Sequence, residues 1–163
     1  MKKSYLLIMI LITLMLSGCG KNGNAEFTET DKVTFHDLTV EIPKVFVKDN
    51  QNSHSDMVFY TYNDEEKYNI CMLYLNISDF PNNDLKESIK DGMLGKTDFT
   101  YNEKDINGHK WAIGYREQSV KSNKTYYVIN KNGKEYALNY DDFGSGDKCA
   151  EALKIIENSL KFN

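Results

Sequence analysis

Apolar side chains fall into three regimes along the chain. Residues 5–16 are an apolar run interrupted only by Thr13. Residues 20–31 are polar apart from Ala25 and Phe27. From residue 32 onward, apolar positions recur with a period of two or close to four. Val33–Phe35 and Leu38–Ile42 alternate on either side of a turn at His36-Asp37, which predicts a hairpin. Pro43 ends its second strand, because proline lacks a ladder donor. Lys48–Ser55 reads as a polar loop. Met57–Tyr62 is a third strand, and Asn63–Glu66 is a charged turn. Tyr68–Ile77 is a fourth strand. There Cys71, Leu73, Leu75 and Ile77 share one face, while Tyr68, Ile70, Met72 and Tyr74 share the other. Two apolar faces predict a central strand covered on both sides.

The period then lengthens. Leu85, Ile89 and Met93 recur every fourth residue and predict a helix. Asp84 stands three residues before Glu87, the spacing of a capping box, and Gly92 and Gly95 offer stops. Period-two segments return at 97–106, 109–120, 124–131 and 134–140. Asn107-Gly108 and Asn132-Gly133 lie between them and favour the two positive φ angles of a type I′ turn, so a four-stranded meander is expected. Cys149, Ala152, Leu153, Ile156 and Leu160 form one stripe of a closing helix over 146–160, with Lys148, Glu151, Lys154 and Glu157 opposite. The fold class is therefore α+β: a large antiparallel sheet covered by two helices.

The N-terminus carries an address. Met1-Lys2-Lys3 precedes the apolar run, whose twelve residues fall short of the about 20 that span a bilayer and suit a signal peptide. The run ends in Leu16-Ser17-Gly18-Cys19, which resembles the lipobox of bacterial lipoproteins. The resemblance implies signal-peptidase recognition through Leu16, Ser17 and Gly18, cleavage after Gly18, and a diacylglyceryl group on the Cys19 sulfur, with further acylation by a fatty acid such as palmitate. It places the protein on the extracytoplasmic face of the cell membrane. Residues 1–18 are then the signal peptide, 19–31 a flexible tether spanning roughly 20 Å, and 32–163 a single α+β domain.

The order of elements within that domain resembles the PsbP-like fold. The hairpin ends in Leu38-Thr-Val-Glu-Ile-Pro43, a helix lies near the middle, and a tyrosine-rich meander leads to a final helix closing on Asn158-Ser159-Leu160-Lys161-Phe162. The resemblance implies a domain that binds a partner rather than catalyses.

Charge narrows the function further. The chain has 20 basic and 24 acidic residues. Without Lys2 and Lys3 the balance is 18 against 24, a net charge of −6, which excludes a polybasic nucleic-acid binder. His36, His54 and His109 have no metal-ligand spacing, and neither His-Glu-x-x-His nor Gly-x-Ser-x-Gly occurs. Asp141, Asp142 and Asp147 lack the alternation of a calcium loop and read as solvated turn carboxylates. No metal and no cofactor is expected. Gly144-Ser-Gly-Asp-Lys148 reads as a loop and helix cap. Cys71 and Cys149 fall on apolar positions, where they form either a disulfide or buried free thiols. Tyr126 and Tyr127 point to opposite sheet faces, one of them a candidate for exposure beside Lys121, Lys124 and Lys131. The expectation is a monomeric, non-enzymatic binding or accessory module for an unidentified protein or small ligand. A membrane-complex assembly factor and an envelope hydrolase are the alternatives.

Overall fold

A computed structural model describes residues 27–64, 69–119, 122–144 and 147–163. The stretch read as a signal peptide, Leu16–Cys19 and most of the stretch read as a tether lie outside the described residues, as do Tyr68 and Lys121.

The described chain runs β1 (Thr30–Phe35), β2 (Leu38–Pro43), β3 (Val47–His54), β4 (Met57–Asp64), β5 (Asn69–Ser78), α1 (Leu85–Gly92), β6 (Thr100–Ile106), β7 (His109–Ser119), β8 (Ser122–Lys131), β9 (Lys134–Asp142), α2 (Asp147–Ser159) and β10 (Lys161–Phe162). Seven strands form one antiparallel sheet in the order β3-β4-β5-β9-β8-β7-β6. The predicted meander is its β6–β9 portion. Asn107 and Gly108 have φ of 52° and 79°, and Asn132 and Gly133 of 54° and 76°, as type I′ turns require.

Three features differ from the sequence expectation. The N-terminal hairpin does not join the large sheet. It pairs with β10 in a separate three-stranded sheet, β1-β2-β10. Helix α2 packs against β2 on one side and against β5 and β9 on the other, so it lies between the two sheets. A helix about 10 Å across cannot be inserted there while the two sheets remain hydrogen-bonded. Second, Lys48–Ser55 is not a loop but most of β3, an exposed edge strand with a bulge between Asp49 and His54. Its polar residues suit a sheet edge and leave no apolar alternation to detect. Third, the folded domain begins earlier than residue 32. Thr30 and Asp31 already pair with Pro43 and Ile42. Phe27 is only 1% exposed, with its ring edge-on to Tyr62 at 5.4 Å.

The main core lies between the sheets, where Cys149, Ala152, Ile156 and Leu160 of the α2 stripe meet Cys71, Leu73, Leu75, Tyr127, Leu138 and Tyr140. Leu153 is only partly buried. Two residues assigned to the polar face turn inward. Lys148 is buried and bonds Asp64 at 2.8 Å and the Tyr62 hydroxyl at 3.1 Å. Glu157 accepts a 2.6 Å hydrogen bond from the Tyr127 hydroxyl. The side chain of Asn107 closes the far end of this helix, donating to the carbonyls of Asn158 and Leu160 that a helix terminus otherwise leaves unpaired. Phe162 stacks on Trp111 at 5.9 Å and meets Tyr136 and His109 edge-on.

A second, smaller core lies on the opposite face of the large sheet. Ile89 of α1 and Met93, the residue that caps its C-terminus, pack there on Ala112, Tyr126, Val128 and Ala137. The helix starts as the sequence predicts, with the Asp84 carboxylate capping the Lys86 amide. Glu87 pairs with Lys90. The helix ends on Gly92, one of the two expected stops, and a side chain there would meet the Tyr126 ring at 2.3 Å.

Candidate functional site

Helix α1 is too short for the face it covers. Eight residues span about 12 Å, whereas seven strands spaced about 4.8 Å apart span nearly 30 Å. The helix packs on β7 and β8 and, among the described residues, leaves the same face of β4, β5 and much of β9 without a covering element. The second face of β5, expected to be covered, is therefore only half-buried at Met72 and Tyr74.

Strand register assembles that face. Phe59 of β4 stands opposite Tyr74 of β5, and the two rings stack at 5.9 Å. Tyr74 stands opposite Asn139 of β9, which in turn faces Tyr126 of β8. Lys124 and Asp141 also oppose each other across β8 and β9. Both are buried and approach to 3.5 Å. The Lys124 ammonium also donates to the Tyr74 hydroxyl at 3.4 Å, and Gln118 donates to Asp141 at 3.3 Å. The Asn139 carboxamide donates to the same Tyr74 hydroxyl.

Burial dominates the electrostatics of this network. It raises the Asp141 carboxyl above the usual carboxylate range, against the pull of Lys124. Burial, with the Asp141 charge beside it, pushes the Tyr74 phenol up to about 12. Tyr126 is raised mainly by burial and then by Glu135. The network thus has one cation and one anion, spent on each other, surrounded by neutral phenols and amides.

Between the end of α1 and the open strands lies a groove of about 380 Å³. Tyr74, Tyr126 and Asn139 line it from the sheet, Met57 and Leu94 supply apolar walls, and Asn76 and Asp91 add polar groups. Leu94 is 83% exposed and has φ of 58°, a left-handed conformation usually left to glycine or asparagine. Asn139 is 1% exposed, yet its Oδ1 has no hydrogen-bond partner. Exchanging the carboxamide's nitrogen and oxygen would move the deficit to the nitrogen, so one end stays unpaired and inaccessible beneath the groove in either assignment.

The residues singled out from sequence are dispersed. Cys71 and Cys149 are joined as a disulfide, with Cα atoms 5.8 Å apart and both residues fully buried. His36 meets the Ser55 carbonyl at 2.9 Å, His54 accepts from the Asp56 amide, and His109 contacts the Lys131 ammonium at 3.1 Å. His109 is half-buried against Phe162 rather than solvated. Asp141 is buried in its ion pair rather than solvated, and Asp142, on the opposite face, caps the Gly144 amide. The expected exposed tyrosine beside lysines is also corrected. Tyr126 and Tyr127 are both buried, Lys124 is paired beneath Tyr74, and Lys131 sits 4.3 Å from the centre of the Phe162 ring. The groove and the unpaired carboxamide were not anticipated. Their one sequence signal was the apolar second face of β5.

No family model matches the chain, and no curated protein matches it in sequence. Solved structures do match. The solution structure of cyanobacterial PsbP (CyanoP) from Synechocystis sp. PCC 6803 superposes with a TM-score of 0.56 at 12% identity, over 88% of this chain and 98% of that one. A crystal structure from Bacteroides thetaiotaomicron VPI-5482 gives a TM-score of 0.50 at 10% identity, over 84% of this chain and 49% of that one. LpqN of Mycobacterium tuberculosis, described as involved in cell envelope biogenesis, gives 0.47 at 11% identity, over 83% and 91%. At these identities the likeness concerns fold, and the chain has the PsbP-like fold.

Proposed function

We propose that the protein is an exported lipoprotein, held at the extracytoplasmic face of the membrane through diacylglyceryl on Cys19, whose domain is a non-catalytic binding or accessory module. The half-covered sheet face is its binding surface. The observation that carries this reading is the groove beside α1. It has aromatic and apolar walls and a few convergent polar groups. Binding sites for small molecules have this composition. The Cys71–Cys149 disulfide suits the oxidising side of a membrane. The three histidines meet a carbonyl, a backbone amide and a lysine, which favours binding over catalysis.

Two measurements test the reading. Cys19→Ala should release the protein from the membrane fraction and leave a precursor of higher mass. An unchanged mature mass and membrane yield would remove the anchoring part. Affinity purification of the full chain from detergent-solubilised membranes should recover ligand or partner with the native protein and not with Leu94→Arg, which places a charge at the groove. Equal recovery by both would move the binding surface elsewhere.

A further inference from the structure

We infer that the Asn132-Gly133 turn is a site of spontaneous deamidation in the folded protein, while Asn107-Gly108, its twin in sequence and conformation, is held unreactive by the closing end of α2.

The reaction is intramolecular. The Gly amide nitrogen bonds to the carbonyl carbon of the Asn side chain. The bond from that carbon to the side-chain nitrogen breaks, and the nitrogen leaves as ammonia with the proton given up by the Gly amide. Water then adds to either carbonyl of the five-membered imide and opens it, leaving aspartate or its β-linked isomer. Nothing is oxidised or reduced. Glycine favours the attack because it has no side chain in the way. A type I′ turn holds the Asn ψ at about +30°, far from the value that the imide ring imposes. The turn must therefore open before it reacts, and the rate follows the cost of opening.

The two turns have nearly the same φ angles. Asn107 and Asn132 are both exposed, so access to water does not separate them. Their tethers do. The Asn107 carboxamide nitrogen donates to the Asn158 and Leu160 carbonyls at 3.0 and 2.9 Å. Both partners are acceptors, which fixes the nitrogen's assignment. The Gly108 amide donates to the Asp105 carboxylate at 2.9 Å, and that negative charge opposes loss of the amide proton. The second hairpin lacks both locks. Asn130 occupies the place of Asp105, two residues before the turn asparagine, but its carboxamide reaches away to the Asn82 carbonyl at 2.6 Å. Among the described residues, the Asn132 side chain forms no hydrogen bond, and no side chain accepts from the Gly133 amide.

Asn107 can turn only when the end of α2 releases it. Deamidation there would set a carboxylate against two carbonyls at the negative end of the helix. It is thus a permanent record that the C-terminal closure has opened. At Asn132 the same chemistry adds a negative charge between Lys131 and Lys134 and leaves the fold standing.

The test incubates the full chain in detergent micelles in heavy-oxygen water at mildly alkaline pH, with a parallel sample in urea. Peptide mass spectrometry follows the label at each site. In urea both sites should react at similar rates. In the folded protein Asn132 should react at least about tenfold faster than Asn107, since three hydrogen bonds of ordinary strength shift an opening equilibrium by at least that factor. Asp105→Ala, an exposed change safe for folding, should speed Asn107 about threefold or more by removing one of those bonds, and leave Asn132 unchanged. Equal rates in the folded protein, or a faster Asn107, would overturn the inference. So would an Asn132 that reacts in urea and stays unlabelled when folded. An Asn107 rate unchanged or slowed by Asp105→Ala would show that the carboxylate is no lock.

Discussion

Breaking the Cys71–Cys149 bond perturbs the fold at the one covalent link between α2 and the large sheet. The two cysteines are separated by 78 residues. Tethering them removes about 15 cal/mol/K from the unfolded chain, or about 4.5 kcal/mol at 25 °C. That is roughly 30% or more of the about 5–15 kcal/mol by which domains are usually stable. Both sulfurs are fully buried, so substituting them would add a packing loss to the entropic one. The cleaner comparison keeps the sequence and changes only the bond, by unfolding the native chain in urea with and without a thiol reductant. With a urea dependence of about 2 kcal/mol/M, the midpoint should fall by about 2 M, with a somewhat steeper slope because the reduced chain unfolds to a more expanded state. A Cys71→Ala/Cys149→Ala chain should fall slightly further and be indifferent to reductant. A shift below about 0.5 M on reduction would refute the loop-closure argument and identify the bond as energetically incidental.

Two further outcomes follow from burial. Removing residues 19–30 deletes Phe27, which packs on Tyr62. That truncation should cost about 3–5 kcal/mol, as loss of a buried phenylalanine does, whereas removal of 19–26 should cost little. Urea midpoints of the two truncations would separate these cases. In the Lys124–Asp141 pair, Lys124→Met alone should destabilise by about 3–5 kcal/mol by leaving a buried charge unpaired, while Lys124→Met/Asp141→Leu should be close to neutral. Because burial raises the Asp141 carboxyl, the folded state holds its proton to higher pH than the unfolded chain does. Asp141 therefore removes stability as pH rises from the ordinary carboxylate value through the raised one. That component should be missing from a pH series of unfolding midpoints on the double variant.

What could be read from sequence was what local chemistry decides. Asn107-Gly108 and Asn132-Gly133 set their turns because few other pairs take two positive φ angles, and with the turns fixed the meander order follows. The α2 stripe was visible because its period is regular. Strand β3 was not, since Asp49-Asn50-Gln51-Asn52 has no apolar alternation at a solvent-facing edge. The separation of β1-β2 from the large sheet depends on where α2 lodges, which no local pattern encodes. The ion pair joins residues 17 apart, and only their register across β8 and β9 makes them neighbours. The unpaired end of Asn139 is a property of what surrounds it, and its own sequence context, between Leu138 and Tyr140, reads as ordinary strand.

The small sheet has a consequence for when the molecule can be finished. Its third strand, Lys161–Phe162, lies against Leu38 and Thr39. The Thr39 hydroxyl donates to the Asn163 side chain across 124 residues of sequence, and the Asn163 amide donates to the Asp37 carbonyl. A chain made N-terminus first exposes the open edge of β2 early and cannot cover it until residues 161–163 have been added. Closure across so long a loop is entropically slow. For that interval β2 is an unpaired edge available to other chains, so prompt docking of β10 guards against aggregation as well as completing the small sheet.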